Sequence, residues 1–89
     1  MQSICIIVKG KVQGVFYRQS TLEKARKLNI TGTVKNLRDD TVEIIATGTP
    51  EQLQRFTEWC RHGPPRAMVT DLMITPLSLQ SFTDFSIIR

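Results

Sequence analysis

Ile4-Cys5-Ile6-Ile7-Val8-Lys9-Gly10-Lys11-Val12-Gln13-Gly14-Val15-Phe16-Tyr17-Arg18 contains the change of pattern from which the rest of the chain can be read. Its first five residues are rich in β-branched side chains and read as a buried strand that ends at Gly10. Lys11 to Tyr17 keeps no period and holds a second glycine, Gly14, so it reads as a loop. Beyond it, Leu22, Ala25 and Leu28 fall on one face of a helix. That helix begins either near Arg18 or at Ser20, where Ser20 and Glu23 have the spacing of a capping box. Either start makes a glycine-bearing loop run straight into a helix N-terminus.

Outward from this unit, Gly32 opens a second strand, Thr33 to Leu37, and Arg38-Asp39-Asp40 forms a turn into a third, Thr41 to Thr47. Val42, Ile44 and Ala46 alternate with Glu43, Ile45 and Thr47, which gives one clearly apolar face. So short a connection implies an antiparallel hairpin. Thr49 as N-cap, Pro50 at N1 and Gln52 at N3 start a second helix. Leu53, Phe56 and Cys60 follow at helical spacing, with Trp59 beside them, and Gly63-Pro64-Pro65 stops the run. Two more strands are expected, about Val69 to Thr75 and Phe82 to Ile88. The order βαββαββ predicts an α+β fold, a ferredoxin-like sandwich with two helices on one face of an antiparallel sheet. In that layout the first two strands point the same way. The loop after Gly10 and the strand end near Asn36 then share an edge, with Arg18 and Asn36 on one side of the molecule.

With 89 residues, the chain is expected to form a single domain over residues 1–89. A chain of this size buries roughly 60–65% of its unfolded surface, enough for one modest core. Hydrophobic residues at 40% and charged residues at 22% argue against disorder and coiled coil. The net charge of +4 favours an anionic partner without naming it. No run approaches the roughly 20 apolar residues of a membrane span. Ile4 to Val8 is too short for a signal peptide and lacks a small-residue cleavage site. A cytoplasmic chain with reduced thiols is expected. Cys5 and Cys60 fit no metal or redox spacing, although a disulfide between them stays open at this stage.

The glycine-framed loop has the makings of an anion site. Gly10 and Gly14 permit backbone conformations that let successive amides turn inward. The helix N-terminus adds partial positive charge, and Arg18 ends the loop with a planar fork suited to two phosphate oxygens. On two glycines and one arginine alone, the plainer reading, a strand-to-helix loop with a surface arginine, has the better of it.

The longer motif shifts that balance. Gly10-Lys11-Val12-Gln13-Gly14-Val15-Phe16-Tyr17-Arg18 resembles the first signature of the acylphosphatase family, G-x-V-Q-G-V-x-[FY]-R. Gly32-Thr33-Val34-Lys35-Asn36, with Val42 and Gly48 downstream, resembles its second. Thr33 stands where that family usually has an aromatic residue, and Asp40 where it has a turn glycine. Gly63-Pro64-Pro65, the element order and the ending Phe85-Ser86-Ile87-Ile88-Arg89 also look familial, so the resemblance spans essentially the whole chain. It implies hydrolysis of acyl phosphates such as acetyl or carbamoyl phosphate, with no metal or cofactor. It further implies that the loop backbone of Gln13, Gly14, Val15, Phe16, Tyr17 and Arg18 binds the phosphate, that the Arg18 side chain grips it, and that Asn36 orients the attacking water. Small-molecule acyl phosphates are the expected partners of a chain expected to be monomeric.

Elementary chemistry agrees with so small a set of residues. The leaving group is a carboxylate whose conjugate acid has a pKa near ~4, so it departs without a general acid. Transfer to water is then mostly positioning and charge stabilisation.

Two other functions compete with this reading. A nucleic-acid module of this fold class stacks bases on central-strand aromatics, and Ile4 to Val8 and Thr41 to Thr47 contain none. A non-catalytic phosphate- or acyl-phosphate-binding module remains the second reading. Lys9, Lys11, Lys35 and Arg38 could steer anions, though ordinary solvated strand ends are the simpler account. Phe16 and Tyr17 could touch substrate, but aromatics beside a helix start more often belong to the core, so packing is the expectation. His62, past a helix end, is given no role, and the place of Arg89 is left open.

Overall fold

The computed structural model describes residues Met1–Arg89. Its elements are β1 (Gln2–Lys11), α1 (Tyr17–Lys27), β2 (Thr31–Asn36), β3 (Val42–Gly48), α2 (Pro50–His62), β4 (Met68–Leu77) and β5 (Phe85–Ile87). The expected element order and helix-on-sheet layering are present. The five strands form one sheet in the order β4-β1-β3-β2-β5.

Alternation along the strands decides which side the helices cover. Ile6 and Val8 of β1, Val34 of β2, Val42, Ile44 and Ala46 of β3 and Phe85 of β5 are buried on the helix side. They meet Tyr17 and Ala25 of α1 and Leu53, Phe56 and Cys60 of α2 in one core. Phe56 and Phe85 pack edge to face with ring centroids 6.0 Å apart, a preferred aromatic geometry. Removing a ring such as that of Phe56 is expected to cost about 3–5 kcal/mol. The cysteines are free. Cys60 joins this core, whereas Cys5 alternates with buried Ile6 and belongs to the other face of the sheet.

The second helix starts as read. Thr49 accepts from the Gln52 amide at 3.2 Å while Gln52 Oε1 accepts from the Thr49 amide at 2.8 Å, a complete capping box ahead of Pro50. Its end is a close fit. Gly63 has φ 66°, and a Cβ there would lie 2.6 Å from the Tyr17 ring. The first helix begins at Tyr17, so the earlier of the two expected starts is the one adopted, and Ser20 and Glu23 lie inside it.

The expectation of an antiparallel sheet needs correction, because β5 runs parallel to β2. The other three pairings are antiparallel. The cause lies in the connection from β4. Strand β4 is an edge strand that finishes beside Ser3, and β5 lies at the opposite edge. The chain therefore crosses the near ends of β1 and β3. There the Gln80 amide donates to Ser3 Oγ at 2.9 Å, and Thr47 Oγ1 donates to the Gln80 carbonyl at 2.9 Å. Having crossed, β5 can only start at the same end as β2 and run alongside it. It is also shorter than the expected Phe82 to Ile88. Thr33, which stands in place of an aromatic residue, alternates with buried Val34 and faces away from the helices, so the core does not depend on it.

Candidate active site

Register brings the two ends of the site together. Val8 of β1 and Asn36 of β2 are both paired with Val42 of β3, one from each side. Strands β1 and β2 therefore run in the same direction and end at the same edge. The loop Val12–Phe16 leaves β1 there and turns into α1 beside Asn36.

The loop is shaped by its backbone. Gly14 has φ 73° and Phe16 has φ 64°. A Cβ on Gly14 would meet no atom within 4 Å, so it is the left-handed backbone, and not lack of space, that calls for glycine. Such turns aim successive amides into an anion-binding concavity. Helix α1 then begins at Tyr17 with no side-chain cap and no acidic residue in its first turn. Its first amides and the positive end of its dipole are left for a ligand.

A cavity of about 250 Å³ opens at this point, lined by Val12, Gly14, Phe16, Tyr17, Arg18, Gln19, Asn36, Ile87 and Arg89. Arg18 and Asn36, separated by 18 positions in sequence, share its wall. The lining side chains include two guanidinium groups and no Asp or Glu, so the electrostatics favour an anion. Asn36 Oδ1 is buried and has no hydrogen-bond partner. It is the one such side-chain atom in the structure, and a buried acceptor of this kind calls for a ligand or an ordered water.

Several expected residues fall in other places. Gln13 and Val15 do not border the cavity. Val15 is buried in the core, and the Gln13 side chain donates to the carbonyls of Leu37 and Thr41 at 2.9 Å each. Tyr17 packs as expected, 5.7 Å from Trp59 between ring centroids, and its hydroxyl donates to the Cys60 carbonyl at 2.7 Å. Burial raises its pKa well above the ordinary phenol range. Phe16 does not pack as expected. The residue is 71% exposed, and its backbone is left-handed. Lys9, Lys11, Lys35 and Arg38 all lie outside the lining, and Lys35 reaches Glu43 at 3.7 Å. His62 ends α2, away from the cavity.

Ile87 has no counterpart among the expected site residues, and Arg89, whose place stood open between the active edge and a plain chain end, lines the cavity. The signal for them lay in the direction of β5, which carries the chain end toward Asn36. No group of three or more His, Cys, Asp or Glu residues comes together in the chain.

Comparison with known proteins accords with this arrangement. The acylphosphatase family model matches residues 4–87. An acylphosphatase from Marinobacter nauticus is 53% identical over 81 residues, 90% of this chain and 88% of that one. One from Methylococcus capsulatus is 42% identical over 90 residues, covering 100% of this chain and 98% of that one. The crystal structure of acylphosphatase from Bacillus subtilis superimposes with a TM-score of 0.97 at 41% identity, covering 100% of both chains. With a matching family model, relatives of this similarity over nearly their whole length, and the same backbone, the chain belongs to the acylphosphatase family.

Proposed function

We propose that the amides of residues 13–18 and the Arg18 side chain hold the phosphate of an acyl phosphate, and that Asn36 places the water that attacks it. The reaction is that of the family: hydrolysis of a carboxyl-phosphate bond to a carboxylate and inorganic phosphate. The observation that carries the assignment of roles is a single cavity with Arg18, Asn36 and the uncapped start of α1 in its wall. The Asn36 carboxamide can both accept from and donate to a water in that cavity, which leaves the water a lone pair to face phosphorus. Arg18 and the first amides of α1 neutralise charge on the phosphoryl oxygens as the bond to the carboxylate loosens. The carboxylate leaves as an anion, with no proton needed in that step.

The decisive test is hydrolysis of acetyl phosphate in the presence of EDTA by the unaltered chain, Arg18→Ala and Asn36→Ala. Each folded variant is expected to lose about 10²–10³ in kcat, the effect of removing one transition-state donor. Full activity in either variant removes that residue from the mechanism.

The roles proposed for Arg18, Asn36 and the loop need residues of one chain only, and a monomeric enzyme is part of this reading. Two free thiols on opposite faces of the sheet fit a reducing, cytoplasmic setting. No helix is long and apolar enough to cross a membrane. Away from the helices, β1 and β3 present Cys5, Ile7, Glu43 and Ile45 in register, not the stacked aromatics that single-stranded RNA requires, which favours a small-molecule partner.

A further inference from the structure

Phe16 holds a conformation for which its own packing gives no return. Its φ of 64° lies in the left-handed region, where a Cβ is costly and where only a few residue types are at ease. The other two non-glycine residues with positive φ are Asn29 and Asp40, types that tolerate it. A bulky aromatic does not belong to that set. Burial does not offset the cost, because the residue is 71% exposed. The backbone has its use, since the left-handed turn belongs to the anion-binding loop and the Phe16 carbonyl accepts from the Ser20 amide at 3.0 Å, but a glycine would serve there as well. What the backbone leaves unexplained is a bulky ring held, at a cost, where the core does not need it, and strain kept in that way is a mark of function.

The position of the ring indicates which function. Phe16 lines the cavity together with Arg18 and Asn36. Of the other apolar lining residues, Val12 and Tyr17 are each only 1% exposed and belong to the core, and Ile87 is half-buried. The broad apolar surface at the mouth is therefore the ring of Phe16. A phosphate held at the α1 N-terminus leaves the rest of an acyl phosphate to project through that mouth.

We propose that Phe16 is a specificity-determining residue whose ring receives the acyl group, selecting flat, apolar acyl phosphates, of which benzoyl phosphate is a simple example, over short ones. This inference rests on the reading in which Arg18 and Asn36 hold the phosphate end. An exposed ring face or edge gives an aromatic acyl group an offset or edge-to-face contact that a methyl group cannot match. Arg18 and Asn36 meet every substrate of the class alike, so discrimination falls to the residue at the mouth.

The test compares kcat/KM for benzoyl and acetyl phosphate in the unaltered chain and in Phe16→Asn, Phe16→Gly and Phe16→Tyr. Asparagine and glycine both accept the left-handed backbone, so they remove the ring while keeping the loop. The benzoyl-to-acetyl ratio is expected to fall roughly three- to tenfold in those two variants and to hold within about twofold in Phe16→Tyr. A general loosening of the loop lowers both substrates together and leaves the ratio unmoved. An unchanged ratio in both ringless variants of an active enzyme overturns this inference and leaves the phosphate site standing. An unaltered chain inactive on both substrates overturns the phosphate site and this inference together.

Discussion

Gln13 donates its side-chain amide to the carbonyl of Leu37, 24 residues further along, at 2.9 Å. The same nitrogen donates to the carbonyl of Thr41 at 2.9 Å. One side chain from the loop before α1 thus spans the mouth of the β2–β3 hairpin, next to Asn36. It ties the element that would hold phosphate to the element that would hold water. Replacing Gln13 by alanine takes the donor from the part-buried Leu37 carbonyl, while the Thr41 carbonyl keeps the Leu37 amide at 2.9 Å, and a loss of about 1–3 kcal/mol in urea melts is expected. Gln13→Glu keeps the length but turns an ionised acceptor toward two acceptors, so it is expected to lower both stability and kcat more than alanine does. A glutamate variant as stable and active as the parent would show that the brace has no mechanical role.

Turnover is expected to be flat between about pH 6.5 and 8, above the second phosphate pKa near 6. The reason is the composition of the cavity wall. Its ionisable side chains are Arg18, Arg89 and Tyr17, and burial raises Tyr17 further from neutrality. No histidine, carboxylate side chain or thiol lines it. A bell-shaped kcat profile with a limb inside that range points to a general acid or base that the proposed mechanism lacks.

Tyr17 and Cys60 couple the two helices, and their bond has consequences at neutral and at high pH. Tyr17→Phe leaves the buried Cys60 carbonyl without its donor and is expected to cost about 1–3 kcal/mol with kcat little changed. At high pH the thiol matters as well. Burial pushes the Cys60 pKa up to about 12, whereas an unfolded thiol titrates near 8.5. The folded state then holds a proton that the unfolded state releases. This contribution to stability is complete below about pH 8.5 and is lost as pH rises toward the folded value. Denaturant melts from pH 8 to 11 should show a falling midpoint, with a shallower fall in Cys60→Ala.

Asp40 has φ 70° at the exposed tip of the β2–β3 turn. Glycine adopts that backbone without the Cβ penalty, so Asp40→Gly is expected to raise stability by ~1 kcal/mol and leave kcat unchanged. Lower stability in urea would mean that the aspartate side chain holds the turn. Its neighbour Asp39 already does so by accepting from the Thr41 hydroxyl and amide, and these bonds lower its carboxyl pKa.

The features readable in the sequence were those whose causes lie within a few residues. Thr49, Pro50 and Gln52 start α2 because capping is settled over one turn. Val42, Ile44 and Ala46 face the core because alternation along a strand is local. Even the approach of Arg18 to Asn36 was legible, since two strands that both pair antiparallel with a third must run in the same direction. The tertiary structure alone decided the rest. The direction of β5 depends on Gln80 meeting Ser3 and Thr47, contacts across 77 and 33 positions that no window of sequence contains. That crossing brings Ile87 and Arg89 to the cavity. Phe16 matches an aromatic packing pattern by composition, yet it lies exposed at the mouth, on a left-handed backbone. The isolation of Asn36 Oδ1 depends on every neighbour that could have bonded to it and did not, a property of the assembled cavity that no residue carries by itself.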